Sequence, residues 1–567
     1  MNKSYSHSIY KAFVLCLICF AFPNYLKAQN EDVIIIETYK PVISDAFKIQ
    51  ENPKIPDSTD VEKYSTTYQV NPVLYGTKFP VEPIKPAKMI GEPLTKFYKS
   101  YAKLGFGNKT TPLAEFYYSN LRSTSQSIGF YFNHFSSSGK IKKYAFPGFS
   151  NNDAGIYAKK FYKYHTLTAN VDYKRDVVHY YGFEPSKFPY IYDVNNKDSI
   201  KQRLMDIGGQ LKFFSTYVDS TKLNHYFDLK YHNASDLYDA VEDNIVFNAL
   251  LNKNVKFLGK SIKNQNLSLK TKVDFYNDKN KIDTAGSAVI SFIPQFSASY
   301  DIIRFNLGFN TSIAACDSSD IFFYPVTNIN FNLVDNIFIL YAGIDGGLEK
   351  NNLVNLFSEN PFINTKTLNL QYSNTKSRFY AGFRGSISSY LSFNANIAKS
   401  KIDNLPLFVN DSSLNLFNKF NVIYDNAGIT NLHTEITYQK SEKLKIMLTS
   451  NYYEYKMNVE KRAWHKPGMN VQLSVNYNLR NKIILKTEVF ALNGVDAKCY
   501  NTTGQVPEIL IKQLKGTVDF NLGLEYRYSK ILSGFINFNN IGVINYQKWY
   551  NYPTYSFTAL AGITYSF

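Results

Sequence analysis

Residues Thr554 to Phe567 read T-Y-S-F-T-A-L-A-G-I-T-Y-S-F, and this stretch decides the fold. The odd positions are Tyr555, Phe557, Ala559, Ala561, Ile563, Tyr565 and Phe567, all apolar or aromatic. The even positions are Thr554, Ser556, Thr558, Leu560, Gly562, Thr564 and Ser566, small or polar apart from Leu560. A period of two marks a strand whose two faces meet different surroundings. Rings on one side and hydroxyls on the other suit a barrel with lipid outside and water inside. A surface strand of a soluble sandwich shows the same alternation, so the rest of the chain has to decide.

Composition favours the barrel. The 567 residues include 46 Tyr and 44 Phe, yet the mean hydropathy is negative, at -0.27. Aromatic richness in a net-polar chain fits aromatic girdles around a polar lumen. After the N-terminus no run approaches the roughly 18 apolar residues of a spanning helix. A chain in a membrane without such a helix has to be a closed barrel, because an open sheet edge cannot face lipid.

The start predicts export. Lys3 and Lys11 form a basic region, and Ala12 to Phe22 is an apolar run too short to span a bilayer. Leu26-Lys27-Ala28 is a plausible cleavage site, so residues 1–28 read as a signal peptide. Neither Cys16 nor Cys19 has the small preceding residue of a lipoprotein site. The mature chain keeps Cys316 and Cys499, and the spacing leaves their pairing open.

Net charge is +17. The leader carries Lys3, Lys11 and Lys27, and residues 29–96 hold eight Lys against ten Asp and Glu, which leaves +16 on residues 97–567. A basic barrel attracts anionic solutes or lipopolysaccharide phosphates. Solvated loop lysines account for the charge more simply. Nucleic acid is excluded as a partner of an exported barrel.

Residues 29–96 hold eight of the twenty prolines and read as an extended, irregular periplasmic or partial-plug segment. Near its start Val33, Ile34, Ile35, Ile36, Glu37 and Thr38 form a β-prone run that can add a strand to a partner's sheet. From Phe97 the chain becomes strands and turns, a barrel over 97–567. In Thr517 to Tyr528, Val518, Phe520, Leu522, Leu524, Tyr526 and Tyr528 form one face, and Thr517, Asp519, Asn521, Gly523, Glu525 and Arg527 the other. In the first strand Ala102, Leu104 and Phe106 oppose Lys103, Gly105 and Gly107. Lys103, Asp519, Glu525 and Arg527 are therefore expected to be lumen charges.

Tight turns are expected near Ser123, Tyr164, Ser220, Lys260, Asp301, Asn336, Ser389, Ser441, Arg480 and Lys530. Ten such turns with both termini in the periplasm give an all-β, up-and-down antiparallel transmembrane barrel of about 22 strands, with 20 and 24 open. The last strand should close against Lys99–Gly107 with Phe567 at the periplasmic end. Longer outer loops are expected over residues 136–152, 181–203, 350–375, 403–427 and 493–514.

The terminal strand looks like that of bacterial outer-membrane proteins. The resemblance implies that Ala561, Ile563, Tyr565 and Phe567 form an insertion signal for the barrel assembly machinery. The stretch F-I-N-F-N-N-I-G-V-I-N-Y-Q-K-W-Y-N-Y-P (Phe535 to Pro553) ahead of that strand resembles the end of TonB-dependent outer-membrane receptors, especially those of the Bacteroidota. D-V-I-I-I-E-T-Y-K-P (Asp32 to Pro41), K-S-Y-A-K-L-G-F-G-N (Lys99 to Asn108) and S-S-S-G-K-I (Ser136 to Ile141) look like a little-characterised barrel group of the same phylum. The resemblance implies solute passage across the outer membrane, outer-membrane lipids and lipopolysaccharide as surroundings, and a TonB-type energy transducer or a lipoprotein as partner. Val33–Thr38 would then be a TonB-box-like run. A scaffold barrel in an assembly or secretion complex, with 29–96 as docking arm, is the alternative.

One departure stands out. These receptors carry a folded plug domain, and the 68 residues 29–96 are too few for one. A 22-strand lumen is wide, so the proline-rich segment, inward-folding loops or a partner has to fill it.

Catalytic and metal chemistry find no pattern. His134, His165, His179, His225, His232, His433 and His465 lack metal-ligand spacing, and no cofactor is implied. A rim hydrolase needs a Ser–His or Asp–His pairing, and nothing singles one out. His225 and His232, seven apart, should point to opposite faces. Trp464 and Trp549 are expected as interface anchors. Asn360-Pro361-Phe362 reads as a turn laying a ring on the barrel.

Overall fold

Alternating sequence makes strands, and in a computed structural model of the protein those strands close on themselves. The structure describes residues 97–567 apart from short stretches in the connections, among them 316–318 and 502–507. The main sheet has 22 strands, each antiparallel to its chain neighbours. The first strand, Ser100–Gly107, pairs with the last, Thr558–Ser566, from Tyr101↔Ser566 to Gly107↔Leu560. Ser100 N donates to Phe567 O at 2.9 Å, so the last residue lies beside the start of the first strand. No edge remains in this sheet, the condition for facing lipid.

Outward positions form an apolar belt. In the last strand Ile563, Tyr565 and Phe567 are exposed, while Leu560 and Thr564 are buried within. Val518, Leu524, Tyr526 and Tyr528 are exposed on the same outer surface, and Thr517 and Asp519 are buried inside. The belt continues through Leu104, Phe106, Ile128, Ile156, Val171 and Ile207.

The seam is tight. Gly105 and Gly562 stand opposite one another, and the Phe535 ring covers both from inside. A Cβ on Gly562 would lie 2.0 Å from Leu104 O. Only glycine lets the ring come this close to the backbone here.

The connections differ at the two ends. At one end strands are joined by short turns, such as 301–302, 389–390 and 441–443. Asp301, Ser441, Arg480 and Asn481 have positive φ there, of 49, 54, 54 and 57°. All ten expected turn positions fall between consecutive strands at this end. By the rule that periplasmic turns are short, the long connections face outward.

One expected loop is different. Residues 403–427 are not a long loop: strands Leu391–Asn410 and Phe420–Lys440 stay paired to Asn410↔Phe420. A register shift between Ile402 and Leu405, with Asn404 at φ 56°, bends the hairpin there. A bulge of this kind re-aims the residues beyond it. Leu407, Phe408 and Val409 follow, and all three are buried, so both faces of the extension are covered. The 493–514 stretch likewise holds a hairpin of its own, Val495–Asn501 with Glu508–Leu514.

Candidate functional site

The long connections fold inward and meet across the outer mouth. Leu204, Ala240, Leu353, Phe357, Ile363, Phe408, Phe420, Trp549 and Tyr552 form one buried apolar cluster. They come from six different parts of the chain, so the cluster ties connections on opposite sides of the ring together. Trp464 packs on Leu407 and Val409 in a second cluster. Trp464 and Trp549 are 1% and 4% exposed, which overturns the expectation that they anchor at the lipid interface. They serve as loop core instead, because the loops bring enough apolar surface inward to bury them. Phe362 corrects another expectation: its ring stacks on Tyr552 at 3.8 Å, loop against loop, and not on the barrel wall.

Polar bonds tie the connections to one another and to the wall. After strand His165–His179, Tyr180 donates its hydroxyl to Ile363 O at 2.9 Å and accepts from Asn418 Nδ2 on its own carbonyl at 2.7 Å. Tyr552 donates to Asn418 O, and Tyr181 to Pro553 O at 2.9 Å. The short helix Leu353–Glu359 is capped by Asn352, whose side chain accepts from Asn355 N at 2.8 Å. Its first amide, Leu353 N, donates to Glu242 Oε2 at 2.7 Å. Glu242 is fully buried and also meets His232 Nε2 at 3.1 Å, so strand residues hold the helix in place. Asp236 accepts from Gln202, from Thr365 and from the backbone amides of Tyr238 and Ala240.

Two basic groups of the cap are set by their surroundings. His465 donates Nδ1–H to Phe408 O at 2.9 Å and accepts on Nε2 from Tyr550 N at 3.3 Å. That pair of bonds needs the neutral ring, and burial brings its pKa down to about 4. Lys419 Nζ lies 4.3 Å from the Tyr180 ring and 4.2 Å from the Tyr238 ring. Burial first, and Lys366 second, lower its pKa to about 8.

Beneath the cap lies a cavity of about 900 Å³. Tyr181, Phe357, Pro361, Phe362 and Tyr555 roof it, while Lys103, Glu115, Asn151, Asp153, Lys174, Asp176, Asn537 and Leu560 line its wall. Leu560, the lone apolar residue on the polar face of the opening stretch, is thus a lumen residue. A further cavity of about 550 Å³ runs along the wall past Asp172, Asp206, Asp228, Lys230, Lys272 and Asp274 to Asn352 of the cap. Carboxylates, amides and ammonium groups at these positions can hydrogen-bond a polar solute on several sides.

Of the expected lumen charges, Lys103 meets Glu115 at 3.1 Å and lies over the Phe535 ring at 4.9 Å. Asp519 is buried beside a smaller cavity with Tyr546 and Asn540. Glu525 and Arg527 pair with each other at 3.3 Å, three residues and fewer from the short-turn end of their strand. These groups do not converge on one point. Ala561, Ile563, Tyr565 and Phe567 lie in a row on the outer face of the closing strand. Val33, Ile34, Ile35, Ile36, Glu37 and Thr38 lie outside the described residues, as does Cys316. Cys499 is buried, with its Sγ 3.2 Å from Leu510 O. Of the residues that build the cap, Glu242, Ile363 and Asn418 went unmarked in the sequence, and Tyr180, expected in an aromatic girdle, is buried in the cap instead.

Neither a protein-family model nor a curated protein sequence matches the chain. Solved structures do. The pyoverdine outer membrane receptor FpvA from Pseudomonas aeruginosa aligns over 84% of this chain and 79% of its own, at 11% identity and a TM-score of 0.62. The FrpB iron transporter from Neisseria meningitidis aligns over 84% and 82%, at 8% identity and 0.63. The siderophore receptor PirA from Acinetobacter baumannii aligns over 84% and 81%, at 10% identity and 0.62. At such identities the likeness lies in the fold. The chain therefore has the 22-stranded barrel fold of the TonB-dependent outer-membrane receptors.

Proposed function

We propose that this protein is a non-enzymatic outer-membrane barrel that admits a polar solute, with the loop cap as its outer gate. The observation that carries the reading is a cavity of about 900 Å³ beneath the loop cap, with Lys103, Glu115, Asp153, Lys174 and Asp176 on its wall. The apolar outer belt supports outer-membrane lipids and lipopolysaccharide as its surroundings. The likeness to receptors and an iron transporter supports passage over catalysis.

Around this core the remaining roles fall into place as parts of the same proposal. Residues 1–28 direct export, and Ala561, Ile563, Tyr565 and Phe567 are read by the barrel assembly machinery. Residues 29–96 form the periplasmic segment. In it, Val33–Thr38 adds a strand to a TonB-type transducer or to a lipoprotein partner.

Planar-bilayer recording tests the gate. The mature protein should be nearly silent, and Phe362→Ala with Tyr552→Ala should conduct. A scaffold barrel is the second reading, and the packed loop cap favours it as well. It gains if the double variant stays silent while a stoichiometric partner co-purifies and is lost on deletion of 29–96.

A further inference from the structure

The hairpin in the 493–516 connection forms a two-stranded sheet of its own, separate from the barrel sheet. Its inner strand, Val495–Asn501, is anchored to the neighbouring connection: Lys498 pairs with Glu460 at 2.9 Å and Arg462 with Asp496 at 3.7 Å. His465 N also donates to Asp496 O at 2.9 Å. The outer strand, Glu508–Leu514, pairs with the inner one alone among the described residues. Its second edge is open. Along it Ile509, Leu510 and Ile511 are 58%, 39% and 44% exposed. An exposed apolar edge is a template for another strand.

The sequence of that edge says which strand fits. Glu508-Ile509-Leu510-Ile511-Lys512 is complementary to itself when turned end for end. Pairing two copies antiparallel about Leu510 sets Glu508 opposite Lys512 twice, Ile509 opposite Ile511 twice, and Leu510 opposite Leu510. Opposite charges and β-branched pairs directly across a ladder are the favourable combinations. A two-fold contact requires a patch that matches itself, and a strand of arbitrary sequence does not. We propose that the protein associates through this edge with a second copy of itself, by an antiparallel Glu508–Lys512 pairing centred on Leu510.

The test uses the full mature chain in outer membranes, with Cys316→Ser and Cys499→Ser as background. Leu510→Cys should give a disulfide-linked dimer on mild oxidation. Glu508→Cys alone should give little, and co-expressed with Lys512→Cys it should give the mixed dimer. Glu508→Lys and Lys512→Glu should each lower the dimer fraction about tenfold, and their combination should restore it. Heat-modifiable gel mobility shows that each variant is folded, since the hairpin lies outside the barrel wall. A folded Leu510→Cys that stays monomeric, or that links to a different protein, overturns the proposal. So does a double charge reversal that fails to restore the dimer.

Discussion

Gly562 shows how much a single residue decides at the seam. Its even position in the closing strand was readable as an inward one, and so was the small size that position requires. The Phe535 ring lying on it was not readable, because that contact joins the last strand to its neighbour across the ladder. Gly562→Ala should lower the midpoint of heat modification by several degrees, as overpacking by one methyl costs about 1–3 kcal/mol. Gly286→Ala, at a site with open space, should leave it unchanged. His465 yields a pH prediction. Its folded pKa of about 4 lies below the ordinary 6.5, so folding favours the neutral ring. Its contribution to the cap is whole above pH 6.5 and is lost as pH falls from 6.5 toward 4. Limited proteolysis of the outer connections should therefore quicken over that window, and His465→Gln should flatten the dependence. The tryptophans mark the limit of residue-level reading. Trp464 and Trp549 looked like interface anchors because an aromatic near a strand end usually is one. Their burial depends on which loops meet, and alternation carries no information about that.

At the scale of elements, turns were more legible than loops. Short turns announce themselves by polar residues between alternating runs, which is why the strand count came out at 22. Outer connections have no such constraint. The 403–427 stretch read as loop because Leu405 to Val409 breaks the alternation. It breaks because the hairpin rises above the wall and is buried on both faces. The cap holds together by aromatic packing between connections, with Phe362 on Tyr552 at its centre. Phe362→Ala should remove about 1–3 kcal/mol of that packing. Hydrogen exchange should then rise at Ile363 and Asn418 while the barrel strands stay protected. Asn352→Ala, which removes the helix cap, should cost about 1 kcal/mol and raise exchange in Leu353–Glu359 alone.

The whole molecule answers a question that its sequence raised. A barrel of 22 strands has a wide lumen, and the sequence left open what fills it. Among the described residues its own connections meet across the outer mouth, with a cavity of about 900 Å³ below. Barrel closure, inside and outside faces and the position of Phe567 were all legible, because a period of two fixes them strand by strand. The cap was not, since it depends on contacts between residues hundreds of positions apart, such as Tyr181 with Pro553. The central claim is that this cap separates the lumen from the outside. The most direct measurement is labelling of Asn151→Cys, a cavity-lining position, in a Cys316→Ser, Cys499→Ser background. A bulky, membrane-impermeant maleimide is added to intact cells. With the cap intact the cysteine should stay unlabelled, and with Phe362→Ala and Tyr552→Ala it should label fully. Equal labelling of both would contradict the account.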